Sequence, residues 1–343
     1  MDDLRQRLDE TASSIHASPD ARLETERRIR MRQGRRRLVA AGLSIAIAVA
    51  ASSFLLKAFE SRTVADHPNP RPAAQGLIVF STQRPRDMTS FIAVIAPDGS
   101  GFQRLGSGDS PTLSPDGRHI AFTRTTSHGS GIFVMNIDGS SVRRLTSDPT
   151  DAGPSWSPDG REIVFSRASG GPGGRDLLKV GLGGHVVQLT SGLDDDFEPA
   201  WSPDGTSIAF VHVLGGPLET ATRAPQVWQL TLADGQMRSI TDLSKGAFDP
   251  AWSPDGTRLL VDAAGHLYVT DVASGTSTAV PLPHGMYAAD PAWSPDGRSL
   301  AFLAGPDNAH DIYTVGAIGE APTPIALRGS SEGGPSWSVD PGR

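Results

Sequence analysis

Pro154-Ser-Trp156-Ser-Pro-Asp-Gly160 is one copy of a seven-residue box that decides the architecture of this chain. The box returns as Pro199-Ala-Trp201-Ser-Pro-Asp-Gly205, Pro250-Ala-Trp252-Ser-Pro-Asp-Gly256 and Pro291-Ala-Trp293-Ser-Pro-Asp-Gly297, with a leucine variant at Pro111–Gly117 and a frayed copy at Pro335–Gly342. Successive copies start 43, 45, 51, 41 and 44 residues apart. A period of about 40–45 residues is typical of the blades of a β-propeller.

Each interval between boxes contains strand-like runs separated by turn residues. An apolar run such as Ile120-Ala-Phe122 follows Pro-Asp-Gly, and a second run such as Ile132–Met135 comes next. A third run, Val142–Thr146 for example, follows a tight Asp138-Gly139 turn, because glycine adopts positive φ without strain. Together with the Pro-x-Trp-Ser strand, every unit therefore has four short strands, which is the content of one blade.

The two ends of the repeat region predict how the ring closes. The first unit runs from Gly76 to Leu105 without a Pro-x-Trp-Ser strand ahead of it, whereas the last box, Pro335–Ser338, has no unit after it. We therefore expect the last strand to complete the first blade, which removes an exposed sheet edge. The predicted fold class is all-β, a six-bladed propeller over residues 76–343, preceded by a short helical segment and one transmembrane helix.

The box, the Ile-Ala-Phe run and the Arg-Leu-Thr ending resemble the WD40-like (PD40) repeats of the TolB propeller family, over residues 76–343. The resemblance implies the propeller fold and places the Pro-x-Trp strand innermost in each blade. TolB-like proteins carry an α/β domain ahead of the propeller, for which we expect no room here. The resemblance therefore implies a fold rather than a Tol–Pal role, because a fold hosts many functions.

Residues 1–75 divide into three predicted segments. Residues 1–37 hold ten arginines against seven acidic residues and form an Arg-rich cytoplasmic tail with helical patterning. Residues 38–56 carry no charge, and a helix of that length spans roughly 28 Å, about one bilayer core. Because the arginines precede this stretch, we expect a single-pass anchor in the cell membrane with the propeller outside. The Pro-rich residues 57–75 are predicted to form a semi-rigid stalk.

Two alternatives concern this N-terminal region. The apolar stretch could be a cleaved signal peptide with Ala48-Val-Ala50 at the cleavage site, which would leave the propeller secreted or periplasmic. The first 60 or so residues also resemble the tails of actinobacterial anti-sigma-type sensors. That resemblance implies a transmembrane sensor whose tail contacts a regulator such as a sigma factor.

Composition excludes several classes of chemistry. Residues 38–343 carry 21 basic against 31 acidic residues, and an acidic propeller is a poor ligand for nucleic acid. The chain has no cysteine, so it forms no disulfide, thiolate metal site or cysteine nucleophile. It lacks the Gly-x-Ser-x-Gly, His-Glu-x-x-His and phosphate-loop motifs. We expect no enzyme and no cofactor, with a channel-based lyase or hydrolase as the alternative.

The box residues recur with the repeat, which favours a structural role for them. Aspartate between proline and glycine suits a turn, and tryptophan is large enough to pack between blades. The residues interpreted in this way are Trp156, Asp159, Trp201, Asp204, Trp252, Asp255, Trp293, Asp296 and Trp337.

An acidic residue also recurs just ahead of each Pro-x-Trp strand. The family's blade order places that position at the mouth of the central channel, where clustered carboxylates repel one another unless cations meet them. The pattern predicts a mouth that receives a basic peptide or cationic ligand, with solvated loop acids as the alternative. The Asp194–Glu198 run is the candidate for Ca²⁺. The predicted mouth residues are Asp109, Asp151, Asp196, Glu198, Asp249, Asp290 and Glu332.

The sequence therefore predicts a non-enzymatic extracytoplasmic binding module at the bacterial cell envelope, with a protein or peptide partner. The longest insertion, residues 211–224, accounts for the 51-residue step and is predicted to lie on the same face as the mouth. We expect it to act as a partial lid or a partner-contact loop, with an ordinary variable loop as the alternative.

Overall fold

The computed structural model describes residues 76–83, 90–127, 129–170, 174–218, 221, 223–305, 311–316, 320–325 and 331–338. The predicted tail, membrane helix and stalk all lie outside this part of the chain. Within it the secondary structure is strands and turns without an α-helix. No helix of the described residues is long and apolar enough to cross a bilayer.

Twenty-four strands in the described residues form six four-stranded antiparallel sheets, which are the six predicted blades. Blade 1 contains β1 Leu77–Gln83, β2 Ser90–Ile95, β3 Gln103–Ser107 and β24 Ser331–Ser338; blade 2 contains β4 Asp109–Leu113, β5 His119–Thr126, β6 Gly129–Asn136 and β7 Arg143–Arg144; blade 3 contains β8 Ala152–Trp156, β9 Glu162–Ala168, β10 Arg175–Gly181 and β11 Val186–Gln188. Blade 4 contains β12 Asp195–Trp201, β13 Ser207–Val213, β14 Gln226–Thr231 and β15 Met237–Ser239; blade 5 contains β16 Phe248–Trp252, β17 Arg258–Ala263, β18 His266–Asp271 and β19 Ser277–Ala279; blade 6 contains β20 Tyr287–Trp293, β21 Leu300–Gly305, β22 Asp311–Val315 and β23 Thr323–Ile325.

The strand that contains the box lies at one edge of every sheet, and these six edge strands pack on one another in a closed ring. They are therefore the inner strands, as the resemblance implied. The ring closes as predicted, because β24 pairs with β1 in the register Leu77↔Ser338 and Ile78↔Trp337. The all-β, six-bladed class is thus confirmed for the described residues.

The outermost strands are shorter than the sequence suggested. The predicted third run Val142–Thr146 is a strand only over Arg143 and Arg144, because beyond them the Leu145 and Thr146 N–H groups both donate to the one Ile132 carbonyl instead of continuing the ladder. The Thr146 hydroxyl accepts the backbone N–H of Ile132 at 2.9 Å and so replaces the next ladder bond. Thr190 and Thr241 do the same in the next two blades, which gives the Leu-Thr and Ile-Thr endings a physical cause.

The seams between neighbouring blades hold the core. Each seam has its own cluster of buried apolar side chains, to which the second strands contribute Phe80, Phe122, Phe165, Phe210 and Phe302. Burying each such ring stabilises the fold by about 1.5–3 kcal/mol. Two of the box tryptophans also bond across seams: the Trp156 indole donates to the Thr112 carbonyl at 3.2 Å, and that of Trp252 donates to the Ala200 carbonyl at 3.0 Å.

A β-bulge interrupts the inner strand of blades 2 to 6 at the residue before the box proline. In blade 4 the pairing skips from Phe197 to Ala200, and Glu198 between them has a φ of 54°. The same position has φ values of 48° at Ser110, 61° at Gly153, 48° at Asp249 and 48° at Asp290. Left-handed backbone is uncommon for residues other than glycine. A bulge changes the direction of the side chain at the bulged position. In each of these blades, this residue therefore breaks the alternation that the rest of the strand follows.

Candidate functional site

The inner strand has two ends, and the end at the Ser-Pro-Asp-Gly turn is built in the same way in five blades. In blade 5 the Ser253 hydroxyl donates to Asp255 at 2.6 Å, and the Thr257 N–H donates to the same carboxylate at 3.0 Å. The Arg258 N–H then donates to Ser253 Oγ at 3.0 Å, and Gly256 has a φ of 71°. The serine–aspartate bond measures 2.6 Å in the other four pairs as well, Ser114–Asp116, Ser157–Asp159, Ser202–Asp204 and Ser294–Asp296.

These bonds keep the turn carboxylates ionised. The Ser253 hydroxyl, followed by the N–H and hydroxyl of Thr257, lowers the pKa of Asp255 to about 2. The equivalent serines lower the pKa of Asp159 and Asp204 for the same first reason. Each turn aspartate is therefore a charged acceptor at neutral pH, with its Oδ1 bonded inside the turn.

The opposite end of the inner strand carries the predicted mouth, and the bulges bring one residue of each blade to the same level there. We call this set the pre-proline ring; it consists of Ser110, Gly153, Glu198, Asp249, Asp290 and Gly334. Neighbouring members touch across seams: the Asp249 N–H donates to Glu198 Oε2 at 2.8 Å, and Asp290 lies directly against Gly334. A methyl group on Gly153 would lie 3.8 Å from Glu198 Cα.

Three of the seven predicted mouth residues belong to this ring. The ring position is acidic on blades 4, 5 and 6, where it is Glu198, Asp249 and Asp290. It is small on blades 2, 3 and 1, where it is Ser110, Gly153 and Gly334. One half of the ring is therefore acidic and the other half is nearly free of side chains.

The other four predicted residues precede the ring, and three of them, Asp109, Asp151 and Asp196, bond within the propeller. Asp151 is buried and forms a two-pronged ion pair with Arg167, with oxygen–nitrogen distances of 2.6 and 3.0 Å. Asp196 is buried beside His212, with its Oδ1 2.6 Å from Nδ1 of that ring. Asp109 accepts the Ser81 hydroxyl at 2.7 Å across the seam with blade 1. Glu332 belongs to β24, and its side chain lies outside the described residues.

Comparison with solved structures places this architecture among known propellers. TolB from Acinetobacter baumannii is 19% identical and matches 77% of this chain and 66% of its own, with a TM-score of 0.65. The fold is that of a TolB-type propeller. Hydrazine synthase from Kuenenia stuttgartiensis is 16% identical over 78% of this chain and 47% of its own, at a TM-score of 0.63. A chain of a nidogen/laminin complex is 10% identical over 77% of this chain and 99% of its own, at 0.57.

No family model and no curated protein matches the chain. This chain spans less than two thirds of the TolB chain and about half of the hydrazine synthase chain. At these identities the likeness covers the fold alone, and one of the similar proteins is by its name an enzyme. The TolB-type propeller therefore supplies a scaffold, and the function has to be argued from its own residues.

The seam between blades 3 and 4 of this TolB-type propeller concentrates charge at the mouth end. The Arg175 guanidinium clasps the buried Asp195 carboxylate at 2.8 and 2.9 Å, and it stacks 3.7 Å over the Phe197 ring. Asp176, next to Arg175, is also buried. Burial, and then the charge of Asp196, raise the pKa of Asp176 above its ordinary value.

The acids of the Asp194–Glu198 run divide between different partners. Asp195 turns to Arg175, whereas Asp194 and Asp196 lie 3.8 and 2.6 Å from the two ring nitrogens of His212. Asp194 also accepts the Gly215 N–H at 2.8 Å. Among the described residues no three His, Asp or Glu side chains come together in a group that could hold a metal ion. The predicted insertion at residues 211–224 begins later than expected, because β13 runs on to Val213. It does lie over this end of the blade, since the Leu218 N–H donates to Asp195 Oδ2 at 3.1 Å.

The half-buried Arg167 and Arg175 and the buried His212, which pair with these acids, were missed by the reasoning from sequence. The one available signal was their position: Arg167 and His212 each stand two residues after the buried phenylalanine of the second strand. In the strand pairing, this position on the second strand lies opposite the acid that precedes the ring on the inner strand. Asp196 on β12, for example, pairs with His212 on β13. Arg175 had no such signal, since its partner belongs to the next blade.

Proposed function

We propose that this protein is a non-enzymatic binding module of the bacterial cell envelope, and that its mouth face takes a basic protein or peptide segment. One observation carries the proposal. The pre-proline ring presents carboxylates on three consecutive blades, with Glu198 and Asp249 in direct contact across a seam. The proposed contact surface is therefore narrower than the sequence predicted, because Asp109, Asp151 and Asp196 bond within the propeller.

Electrostatics favour a cationic partner at this place. Carboxylates that share one region raise the cost of their own ionisation, and an incoming ammonium or guanidinium group relieves it. The surrounding chain adds to this field, since residues 38–343 carry ten more acidic than basic residues. The half of the ring formed by Ser110, Gly153 and Gly334 leaves room for a chain segment to approach. We expect the partner to lie across the ring, with its basic side chains towards blades 4 to 6.

The envelope location and the absence of catalysis are parts of the same proposal. Residues 38–56 would hold the propeller outside the cytoplasm, which gives it access to envelope proteins. The sequence lacks known catalytic motifs, and three buried acids of the mouth end, Asp151, Asp195 and Asp196, are paired with Arg167, Arg175 and His212.

The test is an affinity capture from detergent-solubilised membranes with the full-length protein as bait. One variant carries Glu198→Gln, Asp249→Asn and Asp290→Asn. The matched control carries Asp98→Asn, Asp138→Asn and Asp234→Asn, which remove the same charge from turns on the opposite face. Thermal unfolding verifies that all three proteins are folded. Partners captured by the intact protein and the control, and lost from the ring variant, would support the proposal.

Three other results would redirect it. If the ring variant captures the same partners as the intact protein, the ring is not the contact surface and the proposal fails. If deletion of residues 1–33 removes those partners while the ring variant keeps them, the tail is the contact, as expected of a transmembrane sensor. A substrate turned over by the intact protein and lost on a single ring substitution would instead indicate a channel enzyme.

A further inference from the structure

Two seams of the propeller place an arginine or histidine side chain between a tryptophan and a turn aspartate, on the face opposite the mouth. In each case this side chain belongs to the first residue of a blade's second strand. Between blades 5 and 6, the Arg258 guanidinium lies 5.0 Å from the centre of the Trp293 ring, with Nη2 3.7 Å from Asp255. Arg258 and Asp255 come from one blade and Trp293 from the next.

The seam between blades 2 and 3 repeats the arrangement with a histidine. The His119 and Trp156 ring centres are 6.4 Å apart, and His119 Nδ1 lies 3.9 Å from Asp116. The recurrence at two seams identifies a position that the blade geometry makes suitable for a planar cation, because an aromatic face and a carboxylate both attract positive charge there.

The seam between blades 4 and 5 has the same aspartate and tryptophan but not the cation. Ser207 stands at the first position of β13, where blade 5 has Arg258. In place of the longer side chain there is a cavity of about 300 Å³, lined among others by Asp204, Ser207, Gln229 and Trp252. This volume is at the lower end of the usual range for ligand sites, roughly 300–1,000 Å³.

The polar groups of the cavity favour a positive guest. Asp204 is the counterpart of Asp255 in the occupied seam, and Asp255 itself lines the cavity from the other side. Hydrogen bonds from Ser202 and Ser253 hold the pKa of these two carboxyls below the ordinary value, so both are negative at neutral pH. The Gln229 amide donates to Ser207 Oγ at 2.9 Å, which turns its NH₂ group to the serine.

We propose that this seam cavity is a binding site for a guanidinium group, which takes the place that Arg258 occupies one seam further on. A guanidinium is preferred to an ammonium because its flat face stacks on indole while its edge donates two parallel bonds to a carboxylate. The cavity is larger than a guanidinium alone, so the stem of an arginine side chain fits with it. The site lies at the turn end of the inner strands and is separate from the pre-proline ring.

The test measures binding of Nα-acetyl-L-arginine methylamide to the full-length protein by calorimetry and tryptophan fluorescence. The comparison ligand is the citrulline analogue, which has nearly the same shape without the charge. We expect a dissociation constant in the millimolar range for a single exposed side chain, and at least ten-fold weaker binding of the citrulline analogue. Equal binding of the two ligands would overturn the proposal.

Three variants locate the site. Ser207→Arg supplies the side chain of the occupied seam and should abolish binding, whereas Arg258→Ser should open a second site and raise the stoichiometry towards two. Asp204→Asn keeps the shape of the turn and should weaken binding by about five- to ten-fold, through loss of one charge-assisted contact. If Ser207→Arg does not fold, the other two variants still decide the matter. Unchanged affinity and stoichiometry in all folded variants would refute the assignment.

A last pair of ligands identifies where the guanidinium comes from. Tighter binding of the peptide Gly-Gly-Arg-Gly-Gly than of agmatine would indicate an arginine of a protein partner. The reverse order would indicate a small soluble guanidinium compound.

Discussion

The two ends of the inner strands differ in how faithfully the blades repeat them. At the turn end, five blades have the same serine–aspartate bond at 2.6 Å and a glycine in left-handed backbone. At the mouth end, the bulge recurs but its residue changes from serine or glycine to glutamate or aspartate, and the neighbouring acids have different partners in each blade. The residues that repeat are those that every blade needs in order to fold. The positions that vary are those at which a single blade can have a role of its own.

The largest effect on stability should come from breaking the Arg175–Asp195 ion pair, which crosses the seam between blades 3 and 4. Arg175→Met leaves the buried Asp195 carboxylate without its guanidinium, so we expect a loss of about 3 kcal/mol in the free energy of unfolding. Denaturant titration of the purified protein measures it. Arg143→Met is the control at an exposed arginine, whose guanidinium donates only to the Leu182 carbonyl, and it should cost under about 1 kcal/mol. Equal losses would mean that the seam pair is not special.

A smaller effect is expected at the repeated turn end. Ser253→Ala removes the donor to Asp255 and leaves the Arg258 N–H without its acceptor, at a site that is fully buried. The expected loss is about 1–3 kcal/mol, and Ser202→Ala should match it, because the turns are alike. Ser274→Ala, in an exposed turn, serves as the control. A clear difference between Ser253→Ala and Ser202→Ala would show that the turns are not equivalent in energy.

The smallest effect on stability is a dependence on pH, and it should have opposite signs at the two ends of the inner strands. Folding raises the pKa of Asp176, so its ionised form costs stability above that raised pKa, and the cost disappears as the pH falls towards the ordinary value near 4. Asp176→Asn should therefore stabilise the protein at pH 7 and leave it unchanged near pH 4. Unfolding curves at both pH values provide the measurement.

Asp255→Asn is the counterpart at the turn end, with the opposite sign. Folding lowers the pKa of Asp255 to about 2, so this carboxylate stabilises the fold above pH 4 and loses that effect as the pH falls towards 2. The substitution should lower stability at pH 7. The same sign for both variants at pH 7 would contradict the distinction between the two ends.

The blades could be predicted from the sequence because the box and its period record the same local structure six times. The prediction of a closed ring also succeeded, since Pro335–Ser338 supplied the one strand that the first unit lacked. The length of the outer strands could not be predicted in this way. It depends on the Thr146 hydroxyl replacing a ladder bond, a choice between two acceptors that the pattern of apolar residues does not record.

The site was harder to predict because the acids near the mouth look alike in the sequence. A bulge shifts the register between Phe197 and Ala200, so Glu198 faces the next blade while Asp196, two residues earlier, turns to His212 in its own blade. The different environments of Glu198 and Asp196 follow from the strand register in the folded protein, which the sequence pattern does not show. The seam cavity was invisible for a different reason: it results from a serine at a position where blades 2, 3 and 5 have a longer residue, next to a tryptophan 45 residues away.

Closure by β24 has a consequence for the order in which the propeller forms during synthesis. Leu77 pairs with Ser338, so the first blade waits for the last strand to leave the ribosome. Blades 2 to 6 are each continuous in sequence and can assemble one after another, whereas the contact that completes the ring has the longest sequence separation among the strand pairs of the described chain. A nascent propeller stalled before residue 331 would thus be nearly finished yet still open, and this late step is where chaperones and proteases would have most time to act.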